Sequence, residues 1–426
     1  MRTASGLALV FYYSGKHRYS INALLGAIEQ DEELKNLNTF LFENPPDLLK
    51  GIRELPSHFE KVIVGISFFT TELWETINLV ESIKRLERRV FLIAGGPHPS
   101  GDPEGTLKMG FDLVVRGEAE ETLKELLKKF QREEDLKDVK GIYYLEKGNL
   151  VFTGQRTPIN LDSFFPFSLK HGKFGPIEIT RGCPYGCYYC QTPRIFGSKP
   201  RHRSKELVWE YVKIMKERGL GDTRFITPSF LSYGSEDGKT PNLEFIEEFL
   251  AGVRQILKNE GRIFVGTFPS EIRPEHVTPE SLKLIKKYAD NNNIIIGMQS
   301  GSDRILNLIH RGHTVEDGIR AVQYTVEAGL IPKVDFLFGL PFEEEEDQLE
   351  SIKIMKKLIE MGAIIHAHTF LPLPGTPFSK YKPTKLSKTL KDFLKYFSSK
   401  GRVYGDWLKQ EKLGTKIAEY LVRQNP

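Results

Sequence analysis

The stretch Ile177-Glu-Ile-Thr-Arg-Gly-Cys-Pro-Tyr-Gly-Cys-Tyr-Tyr-Cys190 decides how the second half of this chain reads. Its first four residues have the pattern of a short strand, and the loop after them carries the only three cysteines of the sequence, Cys183, Cys187 and Cys190. They are separated by three and then two residues, on a loop whose glycines and proline let it curl around a metal. Three cysteines so close together, with none elsewhere, cannot build a framework of long-range disulfides. Three thiolates can bind three irons of a cubane and leave the fourth iron without a protein ligand, the open position a reactive centre needs. A structural zinc, with His171 or His202 as fourth ligand, is the alternative reading of the same cysteines.

Downstream, strand candidates recur with helical segments between them: IEIT (177–180), TRFIT (223–227), RIFVGTF (262–268), NIIIGMQ (293–299), KVDFLFG (333–339) and IIHAHTF (364–370). Six βα units predict an incomplete TIM-type barrel, and the cysteines follow its first strand, at the end where such barrels gather their chemistry. After Pro377 the sequence turns Lys-rich and helical, with Trp407 as a packing anchor. Upstream, LALVFYY (7–13), VIVGISF (62–68), VFLIAGG (90–96) and FDLVVRG (111–117) alternate with amphipathic segments, the pattern of a parallel sheet flanked by helices. GIYYLEKGNLVFTG (141–154) predicts a hairpin turning at Lys147-Gly148-Asn149, and the Pro- and Gly-punctuated stretch after it reads as a linker. The expected organisation is an α/β domain over residues 1–130, a hairpin and linker over 131–175, a partial (β/α)6 barrel over 176–378 and a small helical C-terminal region over 379–426.

With 426 residues and 40% hydrophobic content, the chain has room for two or three cores. Lys plus Arg number 60 against 56 for Asp plus Glu, and this small surplus signals neither nucleic-acid nor membrane-surface binding. The apolar run near the amino terminus is too short to span a membrane and lacks a signal-peptide cleavage site, so a cytoplasmic protein is expected.

CxxxCxxC with an aromatic residue before its last cysteine, in the loop after the first strand of such a barrel, resembles the signature of the radical S-adenosylmethionine (radical SAM) superfamily. The resemblance implies a 4Fe-4S cluster on Cys183, Cys187 and Cys190, whose open iron is chelated by the amine and carboxylate of S-adenosylmethionine. One electron from the cluster, supplied by a ferredoxin- or flavodoxin-type donor, then breaks a carbon–sulfur bond and yields methionine and a 5'-deoxyadenosyl radical. Such chemistry is anaerobic. Ile296-Gly-Met-Gln-Ser-Gly-Ser-Asp303 resembles the family's fourth-strand motif, which places Gln299 and Ser300 at the methionine or ribose end of the ligand. Arg311-Gly-His-Thr314 resembles the segment where an arginine pairs with the methionine carboxylate, whose geometry suits a bidentate guanidinium; His313 beside it has a structural role. Val334-Asp-Phe-Leu-Phe-Gly339 and Thr369-Phe-Leu-Pro-Leu-Pro-Gly-Thr-Pro377 resemble the fifth- and sixth-strand motifs, which puts Phe338, Phe370 and Tyr189 near adenine. The second strand ends Phe225-Ile-Thr-Pro-Ser229, where many relatives have an acidic residue, and the contact passes to Thr227 and Ser229.

Gly65-Ile-Ser-Phe-Phe-Thr70 and Ala94-Gly-Gly-Pro-His-Pro99 follow consecutive strands of the upstream sheet, where open α/β sheets bind ligands and glycines admit a large cofactor. With Arg116-Gly-Glu118 after them, they resemble the Rossmann-like cobalamin-binding domain that precedes the barrel in one branch of the superfamily, the class B methyltransferases. The contacts so implied are Ser67, Thr70, Gly95, Gly96, Pro97, His98, Gly117 and Glu118. The Asp-x-His-x-x-Gly cobalt-ligand motif is absent, and the spacing of Tyr13-Ser-Gly-Lys-His17 does not replace it. The two resemblances together imply methylation of an unactivated carbon, with S-adenosylmethionine consumed both as radical source and to remethylate cobalamin, in a site expected between the domains. The alternatives are a cobalamin-dependent oxidation, cyclisation or rearrangement without methyl transfer, a vestigial cobalamin domain, or, in another class, a zinc-stabilised binding module. Enzymes that insert sulfur or carry auxiliary clusters need further cysteines, and none remain, which disfavours methylthiotransferase activity. A peptide, a small metabolite and a lipid precursor are all compatible substrates.

Overall fold

The computed structural model describes residues 6–424; residues 1–5 of the first domain and 425–426 of the C-terminal region lie outside the described residues. The chain divides into two compact units, Met1–Gly175 and Pro176–Pro426.

The first unit is built on one sheet of seven strands: β1 (Leu7–Tyr12), β2 (Asn38–Phe42), β3 (Lys61–Ser67), β4 (Phe91–Gly95), β5 (Leu113–Val115), β6 (Ile142–Glu146) and β7 (Asn149–Phe152). Their order is β2-β1-β3-β4-β5-β6-β7, parallel through β5 and antiparallel thereafter. β1 is apolar throughout because helices cover both of its faces. Leu7, Leu9 and Phe11 meet Ile21, Leu25 and Ile28 of helix Arg18–Glu29, together with Leu123, Leu126, Leu127 and Phe130 of helix Glu120–Arg132. The spacing of that last set, three to four residues apart, is what puts a 3.6-residue helix on a sheet. β2, with the sequence NTFLF, is a strand that the sequence pattern does not announce; it is short, only half-buried and paired on one side alone.

The hairpin turns on Lys147 and Gly148, whose φ angles are +52° and +84°, and Asn149 already pairs with Glu146. Two positive φ values make the primed turn that matches strand twist. The stretch after it is not a linker, and the boundary expected at residue 130 falls instead at Gly175. Tyr143 and Ile142 pair with Val114 and Val115, so the hairpin extends the sheet. Ile159, Leu161 and Phe164 pack on Ala27, and the Glu29 carboxylate accepts from the amides of Leu169 and Lys170 at 2.8 and 3.0 Å.

In the second unit all six predicted segments carry strands: β8 (Ile177–Glu178) and β9 (Thr180–Arg181) from the first, then β11 (Asp222–Ile226), β12 (Arg262–Phe264), β13 (Asn293–Gln299), β14 (Ile331–Phe338) and β15 (Ile364–Thr369). β10 (Arg201–His202) pairs antiparallel with β9. β8, β11 and β12 are parallel neighbours, as are β13, β14, β15 and a further strand, β16 (Val403–Tyr404). Between β12 and β13 the wall continues through the amide of Ile295 on the carbonyl of Gly266 at 2.7 Å and the amide of Ile272 on the carbonyl of Ile295 at 2.8 Å. The C-terminal region is therefore part of the barrel unit. It supplies β16, and Trp407 is buried with its carbonyl accepting from Thr369 Oγ1 at 2.9 Å. Among the described residues, no helix is long and apolar enough to cross a membrane.

Gly148→Ala tests the hairpin turn cleanly, because no atom lies within 4 Å of the Cβ it would add. The left-handed conformation alone should lower stability by about 1 kcal/mol, seen as a reduced denaturant midpoint with an unchanged slope.

Candidate active site

The cysteine loop leaves β9 and runs into the short helix Thr192–Phe196. Backbone bonds fix its shape: Cys183 N to Gly197 O at 3.1 Å, Cys190 N to Cys187 O at 3.1 Å, and Tyr188 N to Ile309 O at 3.1 Å. Gly182 has φ +88°, and a Cβ there would stand 2.4 Å from the carbonyl oxygen of Lys199, so the strand can enter this loop only through glycine. Burial pushes the Cys190 thiol up to about 11 and raises that of Cys183, so both stay protonated at neutral pH until a metal displaces the proton.

The surroundings argue for a cluster over a single zinc. Both ring nitrogens of His202 are engaged, Nδ1 with Thr180 Oγ1 at 2.9 Å and Nε2 with Ser235 O at 2.8 Å, and His171 Nδ1 is held by Glu29 at 2.8 Å.

The cysteines line one end of a cavity of about 980 Å³ in the barrel, which Tyr189, Thr227, Ser229, Gln299 and Arg311 also line. Gln299 lies on the face of β13 that also turns Asn293 and Ile295 to the cavity; the β13–β14 register slips between Ile296 and Gln299, and Gln299 has φ +74°. Arg311 is 5% exposed; its Nη1 lies 3.8 Å from Cys187 Sγ, and its Nη2 donates to Gly297 O at 2.7 Å and Glu271 Oε1 at 3.1 Å. Burial opposes its charge, but the Glu271 carboxylate beside it more than offsets that and holds it protonated.

Arg311 Nε, Ser229 Oγ and Ser232 Oγ are buried without hydrogen-bond partners. Orphaned donors beside the cysteine loop fit a ligand that brings a carboxylate and hydroxyl groups, as S-adenosylmethionine does.

Ser300 and Phe338 do not line this cavity. Ser300 is buried, and its Oγ accepts from the amide of Ser302 at 3.1 Å, closing the turn after β13. Phe338 is on the wrong face: alternation along β14 turns Lys333 and Asp335 inward, so Val334, Phe336 and Phe338 pack outward. Phe370 lies in a core cluster with Ile305, Leu306 and Ile309. His313 Nε2 lies 3.0 Å from the Met298 carbonyl, and burial lowers the ring to about 2, which keeps it neutral. Glu271, Arg273, Asp335, His366 and His368 line the cavity and were not singled out from sequence. A signal existed for the last two: His-x-His on a strand puts both rings on one face.

In the first unit the strand order reverses between β1 and β3, and open α/β sheets bind ligands in the crevice at that point. Ser67 lies there at the end of β3, with Ser14 in the loop after β1, and both hydroxyls are buried without partners. Next to β3, at the end of β4, Gly95 faces open space, while Gly96 has φ +95° and brings its backbone against Ser67 Oγ. Pro97 opens helix Pro97–Gly101 beside them. These residues fit a large cofactor.

The remaining predicted contacts are engaged within the first unit, apart from His98 Nε2, which is buried without a hydrogen-bond partner. His98 is fully buried, with Nδ1 on Thr70 Oγ1 at 3.1 Å and its ring 5.1 Å from Phe68. Glu118 accepts from the amide of Ile159 at 2.8 Å, and the amide of Gly117 donates to Ser100 Oγ at 3.0 Å. His17 is paired with Glu72 at 2.7 Å.

The radical SAM superfamily model matches residues 177–355, and the B12 binding domain model matches residues 15–127. The chain is a B12-binding-domain radical SAM enzyme. Its cofactors are a 4Fe-4S cluster, S-adenosylmethionine and cobalamin. An uncharacterised methyltransferase of Pyrococcus horikoshii is 28% identical over 345 residues, 78% of this chain and 71% of the relative. Among solved structures, the radical S-adenosylmethionine methyltransferase TsrM of Kitasatospora setae, with cobalamin and a 4Fe-4S cluster bound, superposes with a TM-score of 0.68 at 17% identity, over 88% of this chain and 77% of its own. The cobalamin-dependent S-adenosylmethionine radical enzyme OxsB, with aqua-cobalamin bound, gives 0.63 at 21% identity, over 83% of this chain and 52% of its own. These structures share the fold of this radical SAM enzyme.

Cys187→Ala should abolish cluster assembly and S-adenosylmethionine cleavage while leaving cobalamin binding intact; cleavage at the wild-type rate would refute the cysteine assignment. His98 supplies a pH test. Burial lowers it from 6.5 to about 3, so the folded chain refuses a proton that the unfolded chain accepts. Its stabilising contribution is complete above pH 6.5 and is lost as pH falls from there towards 3. His98→Asn should flatten the acid limb of stability by up to about 1.4 kcal/mol per pH unit in denaturant titrations.

Proposed function

We propose that this enzyme transfers a methyl group to an unactivated carbon of its substrate. The observation that carries the reading is the union of a B12-binding domain with a radical SAM barrel in a chain that has no cysteine beyond Cys183, Cys187 and Cys190. With no ligands for an auxiliary cluster, cobalamin is the second reactive centre, and a methyl group is what it characteristically delivers.

In this reading the three thiolates hold the cluster and leave one iron open to the cavity. Arg311, fixed by Glu271 and the Gly297 carbonyl, turns its unpaired Nε toward the carboxylate of S-adenosylmethionine. Thr227, Ser229, Gln299 and Tyr189 line the rest of that ligand's berth, and Ser67, Gly95, Gly96 and Pro97 receive cobalamin in the first unit. When bound, S-adenosylmethionine on the cluster supplies a hydrogen-abstracting 5'-deoxyadenosyl radical, and methylcobalamin supplies the methyl group. The protein's contribution is placement, which converts encounters between reactants into steps within one complex. Reducing equivalents come from a ferredoxin- or flavodoxin-type donor.

The test is anaerobic reconstitution with iron, sulfide and hydroxocobalamin, followed by reduction in the presence of methyl-labelled S-adenosylmethionine. Labelled methylcobalamin and S-adenosylhomocysteine should form without substrate, beside 5'-deoxyadenosine and methionine from uncoupled cleavage. Cleavage with cobalamin left unmethylated would overturn methyl transfer.

A further inference from the structure

We propose that Asp335, His366 and His368 bind one divalent first-row transition metal ion inside the barrel, apart from the cysteine loop. The site comes from strand geometry. Asp335 on β14 is paired in register with His366 on β15, and His368 follows two residues on, so strand alternation turns all three side chains to the cavity. His366 Nδ1 lies 3.0 Å from Asp335 Oδ1 and 3.0 Å from His368 Nε2, and the three donor atoms all fall within 4.8 Å of one another.

Those spacings suit an ion. An octahedral metal with bonds of about 2.1 Å holds neighbouring ligand atoms about 3.0 Å apart. Hydrogen bonding serves the cluster less well: His366 Nδ1 lies against both Asp335 Oδ1 and His368 Nε2 but offers only one proton or one lone pair, whereas a cation engages three lone pairs together. The His366 ring is fixed by Tyr404, stacked at 4.3 Å with planes 5° apart. Two imidazoles and one carboxylate favour Fe2+, Co2+, Zn2+ or Mn2+ over the harder Mg2+ and Ca2+. All three side chains are half-buried, so the ion keeps open positions toward the cavity, where an oxygen or nitrogen donor of the substrate would complete its coordination. The inference does not depend on methyl transfer.

The test uses the full chain with its cluster assembled and its iron counted, freed of loose metal and titrated anaerobically with Zn2+ against a chromophoric chelator. Neither S-adenosylmethionine nor cobalamin is present, so the outcome is independent of the reaction. One tight Zn2+ per chain is expected. It should weaken more than about 100-fold in His366→Asn and in His368→Asn at unchanged iron content, and His368→Asp, which keeps a ligand atom, should recover part of the affinity. Absence of tight Zn2+ in the wild type would overturn the site. So would unaltered binding in the histidine variants, or Zn2+ that tracks missing iron, which belongs to the cysteines.

Discussion

A buried guanidinium sets the terms for the catalytic end of the barrel. Arg311 has almost no exposure, and a charge removed from water persists only where opposite charge and hydrogen-bond acceptors surround it. Glu271 and the Gly297 carbonyl meet that demand, and Cys187 lies next to them. The arrangement also dictates a glycine: a Cβ on residue 297 would stand 2.5 Å from Arg311 Nη2 and 2.8 Å from the Glu271 carboxyl carbon. The segment between β12 and β13, the strand β13 and the loop beyond it are thus tied at one point. Removing Glu271 strands the buried Arg311 charge, whereas Glu271, partly exposed, keeps some hydration when Arg311 is removed.

The second constraint is the two-residue period of the strands. On β14 and β15 it sends Val334, Phe336, Phe338, Ile365 and Ala367 into packing and leaves Asp335, His366 and His368 on the cavity. Motif likeness placed Phe338 near adenine, but parity overrules proximity along the chain. A residue at the end of a barrel strand reaches the cavity only if its face does. The same parity holds on β13, where Asn293, Ile295 and Gln299 all line the cavity.

In the first unit, burial separates two kinds of residue within one motif. Gly95 and Gly96 keep their backbone open at the edge of the sheet, whereas His98, two residues later, turns under Thr70 and Phe68 and stays neutral. Ser14, which carries no motif, lies at the strand-order reversal with an unpaired hydroxyl like that of Ser67.

The sequence by itself determined the class of chemistry and most of the architecture. Cysteine spacing is chemical information carried within one loop, and the repeating apolar runs registered every strand of the barrel except β10 and β16, which have two residues each. What the tertiary structure decided depended on partners distant in sequence. Glu271 became visible only against Arg311, forty residues away, and Asp335 only against histidines on the next strand. The stretch before Gly175 lost its character as a linker because Glu29 and Ala27 hold it. A pattern along the chain reports which face a residue takes; only packing reports what waits on that face.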